Sequence, residues 1–303
     1  MLAAKPTTRL LAGPSAGTSA GTSARKTGKL GTRPLPKCQC TDARTGKGCL
    51  NIAANQSLFC DLHKNCPKPP LSGDEPLFSP EIFNNDIAAR LSHNCYDFFK
   101  RPNHPIRQSA RRCASQKLKG CRKLFSQPGN VHGDRNALDT IERRTCPVLD
   151  KFIIKDNPGV TKTTFYGKCP AGTSKGALIN DKYVDYHFLI QHKHKNPART
   201  GYWSHKPGSN KVTEYDALGR LIYDPRYATF DYTWQGDNLN YDEVCAFYCV
   251  PRGHEAVPEQ GGAFSKRSQR SRRSQKSRRS QKSQRSQARR TRKHRREPAT
   301  IYS

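Results

Sequence analysis

A segment near the N-terminus, CQCTDARTGKGCLNIAANQSLFCDLHKNC (residues 38–66), contains five cysteines and one histidine at metal-ligand spacing. The predicted ligands, which follow the pattern C-x8-C-x10-C-x2-H, are Cys40, Cys49, Cys60 and His63, with Cys38 and Cys66 as alternative ligands. Zinc takes four thiolate or imidazole ligands in a tetrahedron, and a closed set of four makes the site structural. So short a segment cannot form a hydrophobic core, so zinc binding would supply its folding free energy.

The spacing of this cluster resembles that of small zinc modules with three cysteines and one histidine, such as the plant WRC type. That type has the pattern C-x9-C-x10-C-x2-H, which differs by one residue in the first gap. The resemblance implies a zinc module. No helix with base-reading side chains is evident here, so it does not imply a reader of DNA sequence.

A second group of residues could carry nucleophilic catalysis. Cys95 follows the capping-type residues Ser92–Asn94, which predicts a thiol at the start of a helix. The helix N-terminus and a histidine partner both lower the pKa of such a thiol. The candidate base is His187 in DYHFLIQ, on a predicted strand, and the third polar residue is His205 or Ser204 in WSHKPG. The alternative is that Cys95 is a buried apolar residue and His187 a core histidine.

The arrangement of Cys95, His187 and His205 resembles the CHAP and NlpC-type branch of the papain-like cysteine hydrolases. The resemblance implies that Cys95 is the nucleophile and His187 the base of a peptidase or amidase acting on a protein or peptide substrate. Two features depart from that pattern. Tyr186 stands where CHAP domains commonly have glycine, and no oxyanion donor is evident.

A broader resemblance covers residues 38–252. Uncharacterised proteins of giant DNA viruses are similar, combining a CQC…C…FC..H cluster with HNCY, DYHF, WSHKPG, DALGRLIYDP and NYDEVC. The strings are also similar to ones in bacterial and phage proteins that lack the zinc cluster. The resemblance implies a domain that recurs in different proteins, and it implies no particular activity.

The elements that would position these residues are mixed helices and strands. The pattern predicts helices over Asn85–Lys100 and Asn240–Val250, and strands over Lys151–Lys155, Lys175–Ile179 and Tyr183–Gln191. GYWSHKPG (201–208) predicts a short strand that runs into a turn. Without a repeating βαβ period, these elements favour an α+β fold. The resemblance of the Cys/His motif implies that this α+β domain is papain-like.

Composition divides the chain into five parts. They are a disordered basic arm (1–37), the zinc module (38–66), a Pro-rich linker (67–76), the α+β domain (77–252) and a disordered polycationic tail (253–303). The remaining cysteines are predicted to be reduced. Cys113, Cys121, Cys146 and Cys169 are expected in the core, with pairing or a second metal as the alternatives. Cys245 and Cys249 are expected on one helix face as part of a core stripe, with a metal site as the alternative. A secreted disulfide framework is the alternative, but no export signal supports it.

The charge of the chain is concentrated in its ends. Lys and Arg number 54 against 24 Asp and Glu, and Ser265–Arg296 alone has sixteen basic residues and no acid. Arginine at this density contacts phosphate backbones with little sequence preference, and RRTRKHRR (289–296) fits a nuclear localisation signal. We therefore expect an intracellular protein of the host nucleus, viral factory or virion that binds nucleic acid through its tail.

Two hypotheses follow. The first is a cysteine hydrolase tethered to nucleic acid, and the second is a non-enzymatic nucleic-acid-binding or virion structural protein that uses the same domain as a scaffold. No apolar run in the sequence is long enough to span a membrane. A thiol of Cys95 sealed in apolar packing, or lying far from His187, would favour the second hypothesis.

Overall fold

The structure is a computed structural model that describes residues 32–252, apart from 43, 44, 46, 55, 56, 69, 101–105, 133–137 and 139. The first 31 residues of the predicted basic arm and the whole predicted tail lie outside the described residues. Within the described part, helices and one antiparallel sheet confirm the α+β prediction. None of its helices combines the length and the apolar composition needed to cross a membrane.

Five α-helices precede the sheet in the described chain. They are α1 (Glu81–Asn84), α2 (Ile87–Ser92), α3 (Cys95–Phe99), α4 (Ile106–Ser115) and α5 (Cys146–Asp156). The helix predicted over residues 85–100 is interrupted because His93 is extended and Asn94 starts a new helix. The Asn94 side chain accepts from the N–H of Asp97, and the Asp97 carboxylate accepts from the N–H of Asn94, which forms a capping box.

The sheet has five strands in the order β1-β5-β2-β3-β4, and every neighbouring pair is antiparallel. The strands are β1 (Thr161–Thr163), β2 (Thr173–Asp181), β3 (Asp185–Gln191), β4 (Trp203–His205) and β5 (Glu243–Pro251). The predicted strand at 175–179 lies within β2, and the strands predicted at 183–191 and in GYWSHKPG contain β3 and β4. A tight turn joins β2 to β3, with Tyr183 in the left-handed region at φ 67°.

Two element predictions were wrong. The segment 151–155, predicted as a strand, belongs to helix α5, whose first turn contains Pro147. The segment 240–250, predicted as a helix, overlaps strand β5, which pairs with β1 on one side and β2 on the other. Branched and aromatic residues in β5 suit its position between two strands.

The sheet separates two apolar clusters. Helices α3 and α5 pack on one face, where Phe98, Phe99, Tyr186 and Phe188 are buried. The other face is covered by the loops that follow β4, and it buries a second cluster that includes Trp203 and Phe247. Because side chains alternate along a strand, neighbouring residues of β3 belong to different clusters.

The structure contains four disulfides among its described cysteines, which overturns the prediction of reduced core thiols. They join Cys40 to Cys66, Cys113 to Cys121, Cys146 to Cys245 and Cys169 to Cys249. The last two tie β5 to segments 99 and 80 residues earlier in the chain. Cys245 and Cys249 lie on a strand, and each finds its partner in a distant segment that periodicity does not identify.

The segment predicted as a linker packs against the domain. The N–H of Lys193 donates to Pro76 O at 2.9 Å, and the N–H of Phe78 donates to Lys193 O at 2.8 Å. The ammonium of Lys175, which is fully buried, donates to Pro70 O at 2.9 Å. The described residues accordingly form one compact unit.

Candidate metal centre and the buried Cys and His residues

The Cys/His segment forms a small loop whose two sides are joined by antiparallel bridges. Isolated bridges pair Lys37 with Ile52 and Thr41 with Gly48, and a short 3-10 turn covers Asp61–His63. The N–H of His63 donates to Cys60 O at 2.9 Å, so the C-x2-H pair closes on a single turn. This turn brings a sulfur and an imidazole nitrogen together beside the bridged strands.

Four side chains meet in the centre of this loop and could hold a metal ion. They are Cys38, Cys49, Cys60 and His63, and their ligand atoms all lie within 4.8 Å of one another. The Sγ atoms of Cys49 and Cys60 are 3.7 Å apart. His63 Nδ1 lies 3.3 Å from the Sγ of Cys60 and 3.8 Å from that of Cys38.

The thiols of this cluster differ in acidity. Burial opposes ionisation of Cys60, but hydrogen bonds from His63, Cys38 and Cys49 outweigh it and lower its pKa to about 6. Burial raises the pKa of Cys49 to about 11. Cys60 is therefore the thiol of this pair that ionises first, and a thiolate is the form in which cysteine binds a metal.

The set agrees with the sequence-based set at three of four positions. Cys38 takes the place predicted for Cys40, because Cys40 is bonded to the other alternative ligand, Cys66. Side chains two residues apart in an extended segment lie on the same side, so Cys38 and Cys40 both face the other candidate ligands. The alternation of side chains therefore does not show which of the two binds the metal. The spacing of the observed set is C-x10-C-x10-C-x2-H.

The residues between and after these cysteines point to the larger domain. Gln39 is fully buried, and its Oε1 accepts from the N–H groups of Tyr223 at 2.7 Å and Asp224 at 3.1 Å. Its Nε2 donates to Leu221 O at 3.1 Å. One side chain therefore satisfies three backbone groups of the DALGRLIYDP segment.

Asp224 forms the centre of the same contact. The hydroxyl of Thr41 donates to Asp224 Oδ2 at 3.0 Å, and Arg226 donates to both carboxylate oxygens, at 3.0 and 2.8 Å. The phenol of Tyr166 donates to Thr41 O at 3.0 Å. Sequence reasoning missed Gln39, Thr41 and Asp224. The available signal was the place of Gln39 inside CQC, of Thr41 directly after it, and of Asp224 inside DALGRLIYDP.

The predicted nucleophile lies at the helix start that the sequence indicated, but it is sealed from solvent. Cys95 is the first residue of α3 and packs in the cluster with Tyr186 and Phe188. Its Sγ lies 4.0 Å from Tyr186 O. Burial raises the pKa of the Cys95 thiol, and the nearby Asp185 carboxylate raises it further. The helix start therefore does not yield the low-pKa thiol that the sequence predicted.

The predicted base lies on the other face of the sheet. His187 alternates with Tyr186 and Phe188 along β3, and its ring packs against Tyr241. The structure does not bring His187 and Cys95 together, because the sheet itself separates their side chains. This alternation is the physical reason that the predicted catalytic set is not assembled.

The structure does bring the two predicted histidines together. His205 Nε2 donates to Tyr215 O at 2.9 Å, which leaves its Nδ1 to accept from the His187 Nε2–H at 2.8 Å. Burial lowers the pKa of His187 well below its ordinary value and that of His205 to about 4. Both rings are therefore neutral at pH 7 and form a hydrogen-bonded pair in the core. Ser204, the other candidate for the third position, is fully buried beside Phe98 and Ile190.

No protein-family model, curated protein or solved structure matches this chain.

Proposed function

We infer that this chain is a non-enzymatic nucleic-acid-binding protein in which Cys38, Cys49, Cys60 and His63 hold one structural zinc ion. The observation that carries the structural-zinc part of this proposal is the closed set of four nitrogen and sulfur ligands, which leaves no position for a reacting water. The separation of Cys95 from His187 by the sheet argues against the hydrolase alternative.

The dimensions of the cluster support zinc. A tetrahedral ion with zinc–sulfur bonds of about 2.3 Å places two sulfurs about 3.8 Å apart. The Sγ atoms of Cys49 and Cys60 are separated by 3.7 Å. Three thiols and one imidazole suit zinc better than calcium or magnesium, which prefer oxygen ligands.

Zinc would organise more than the module. Cys38 is adjacent to Gln39, whose side chain binds three backbone groups between Leu221 and Asp224. An ion that fixes the Sγ of Cys38 therefore also fixes the segment that carries Gln39 and Thr41 into the domain. Because metal binding and folding are coupled in such sites, removing zinc should loosen this contact.

The nucleic-acid part of the proposal rests on charge. Ser265–Arg296 contains sixteen basic residues and no acidic residue, and its serines and glutamines provide no apolar group for a membrane. The giant-virus resemblance and the expected location in a host nucleus, viral factory or virion fit this activity and stay predictions.

A pair of variants tests the ligand set. We expect purified Cys38→Ser to lose its zinc, because it removes one of four ligands. The double variant Cys40→Ser, Cys66→Ser should keep one equivalent of zinc, measured by elemental analysis. If the double variant loses zinc and Cys38→Ser keeps it, the sequence-based set with Cys40 is right and the structure-based set is wrong.

Salt dependence tests the tail. Each phosphate that the protein neutralises contributes a slope of roughly −0.9 to the plot of log affinity against log salt on duplex DNA. Removing Ser265–Ser303 should flatten this slope and weaken binding to all sequences alike, measured by filter binding between about 50 and 200 mM salt. Equal slopes for the full-length and shortened proteins would contradict the assignment of binding to the tail.

A further inference from the structure

One folded element of the domain has an unusual charge. We define the basic hairpin as Ile106–Leu124, which comprises α4, the turn that follows it and the 3-10 turn Cys121–Leu124. It has seven basic residues and no acidic one, and all seven are exposed: Arg107, Arg111, Arg112, Lys117, Lys119, Arg122 and Lys123. Residues 32–252 together have 33 basic against 21 acidic residues, so this short element supplies more than half of the excess.

The helix of the hairpin separates its buried and charged sides. Ala110 and Cys113 are buried against the domain, and α4 packs on α2. Arg107 and Arg111, four residues apart, lie on the exposed side with Arg112. A ten-residue helix is about 15 Å long, so the arginines form a stripe of that order of length.

The turn that carries the lysines is held in one conformation. The disulfide between Cys113 and Cys121 closes it, and the N–H of Leu118 donates to Cys113 O at 3.1 Å. Lys117 and Leu118 both have positive φ, at 53° and 62°, which costs free energy for residues with a Cβ. The disulfide and this hydrogen bond hold the strained turn in place. Lys117 and Lys119 are therefore presented on a rigid support.

The charges of the hairpin have no anionic partner in the described structure. Among the described residues, none of the seven basic side chains forms an ion pair, and Arg122 donates only to the hydroxyl of Ser209. Like charges at i and i+4, such as Arg107 and Arg111, destabilise a helix by about 0.2–0.5 kcal/mol per pair. A solvated helix usually interleaves both signs, and a single sign on a rigid face is suited to a polyanion.

We propose that the basic hairpin is a second contact for the nucleic-acid backbone, formed by the folded domain itself. The inference rests on the nucleic-acid-binding function proposed above and gives it a structured site. Arginine side chains on a helix and lysines on a stapled turn donate to phosphate oxygens without reading bases. The only large apolar residue exposed on the hairpin is Leu118, at 37% exposure, which is too little to insert into a membrane.

Lysine footprinting on the full-length protein tests the proposal. The protein is treated with an amine-reactive reagent in low salt, with and without a 24-base-pair duplex, and labelling is read by mass spectrometry. We expect the duplex to reduce labelling of Lys117, Lys119 and Lys123 severalfold. The exposed lysines Lys151, Lys182 and Lys195 serve as controls and should label equally in both samples.

Matched variants add a second measurement. Replacing Lys117, Lys119 and Lys123 with glutamine in the full-length protein should reduce the salt slope by about 2 to 3, since each lost phosphate contact removes about 0.9. The same change at Lys151, Lys182 and Lys195 alters net charge equally and should leave the slope unchanged. A slope that both triple variants change equally would overturn the proposal.

The footprint separates this inference from the proposal for the tail. Protection of Lys276, Lys282 and Lys293 without protection of the hairpin would overturn the inference and leave the tail proposal standing. Protection of the hairpin alone would support the inference and contradict the tail proposal. Protection by anionic lipid vesicles but not by the duplex would overturn the inference, because the partner would then be a membrane surface.

Discussion

Replacing Gln39 with alanine removes the side chain that joins the Cys/His module to the domain. In the native structure this buried amide accepts from the N–H groups of Tyr223 and Asp224 and donates to Leu221 O. Alanine has no group that can replace any of these three contacts. Two backbone donors and one backbone acceptor would therefore lose their partner inside the protein.

The expected magnitude follows from these three groups. A buried backbone group that loses its partner costs about 1–3 kcal/mol. Water can enter the space left by the shorter side chain and satisfy part of the set, so we expect the free energy of unfolding to fall by about 3–5 kcal/mol. With a urea dependence of about 2–3 kcal/mol per molar, the unfolding midpoint should fall by about 1–2 M.

Urea unfolding at equal zinc concentration measures this change, and Trp203, which is fully buried in the core, provides a fluorescence signal. Gln108→Ala is the matched control, because Gln108 is exposed on α4 and its loss should change stability by less than about 0.5 kcal/mol. Native Gln39→Ala should still bind one zinc ion, since no ligand is changed. A loss of stability below about 1 kcal/mol would refute the reasoning that these hydrogen bonds hold the module in place.

The remaining predictions concern the core. Cys95 should resist iodoacetamide in the native protein at pH 8 and react after unfolding, because burial raises its pKa; labelling below pH 7 that His187→Ala slows would instead support catalysis. Burial lowers the pKa of His192 to about 3, so the unfolded chain binds a proton below pH 6.5 that the folded chain excludes. Stability should therefore fall by about 1.4 kcal/mol per pH unit from this histidine as pH drops below 6.5, and His192→Gln should remove that slope in urea titrations at several pH values. Gly176→Ala should destabilise the protein by about 1–3 kcal/mol in the same assay, because the new Cβ would lie 2.7 Å from Phe99 Cδ2; Phe99→Leu should relieve part of the loss, and full additivity of the two changes would contradict this account.

The strands of the central hairpin could be predicted from the sequence because local and tertiary preferences agree there. Branched and aromatic residues in 175–179 and 183–191 favour a strand, and both strands are buried in the sheet. The segments 151–155 and 240–250 also contain branched and aromatic residues, but the first is helical and the second overlaps a strand. Packing of α5 beside the sheet and pairing of β5 between two strands decide their structures, and a short apolar run does not reveal such partners.

The candidate metal site could be predicted to within one ligand. The C-x2-H pair is local, so its spacing identified Cys60 and His63 directly. The choice between Cys38 and Cys40 depends on which of them meets Cys66, a long-range contact that spacing does not specify. The pairing of Cys95 with His187 failed for a different reason. Cys95 begins a helix and His187 lies on a strand, as predicted. Side chains alternate along β3, however, and this places His187 on the sheet face opposite Cys95.

The two disulfides of β5 have a mechanical consequence. The chain leaves the sheet at Pro251 and Arg252, so a force applied to the segment beyond Arg252 would act first on the end of β5. Arg252 resists that pull through its contacts with Phe99 O and the Ser174 hydroxyl, at 2.8 and 2.7 Å. Beyond this anchor, Cys249 is covalently joined to Cys169, so peeling of β5 would stop three residues inward. Tension applied beyond Arg252 would therefore not strip β5 from the domain.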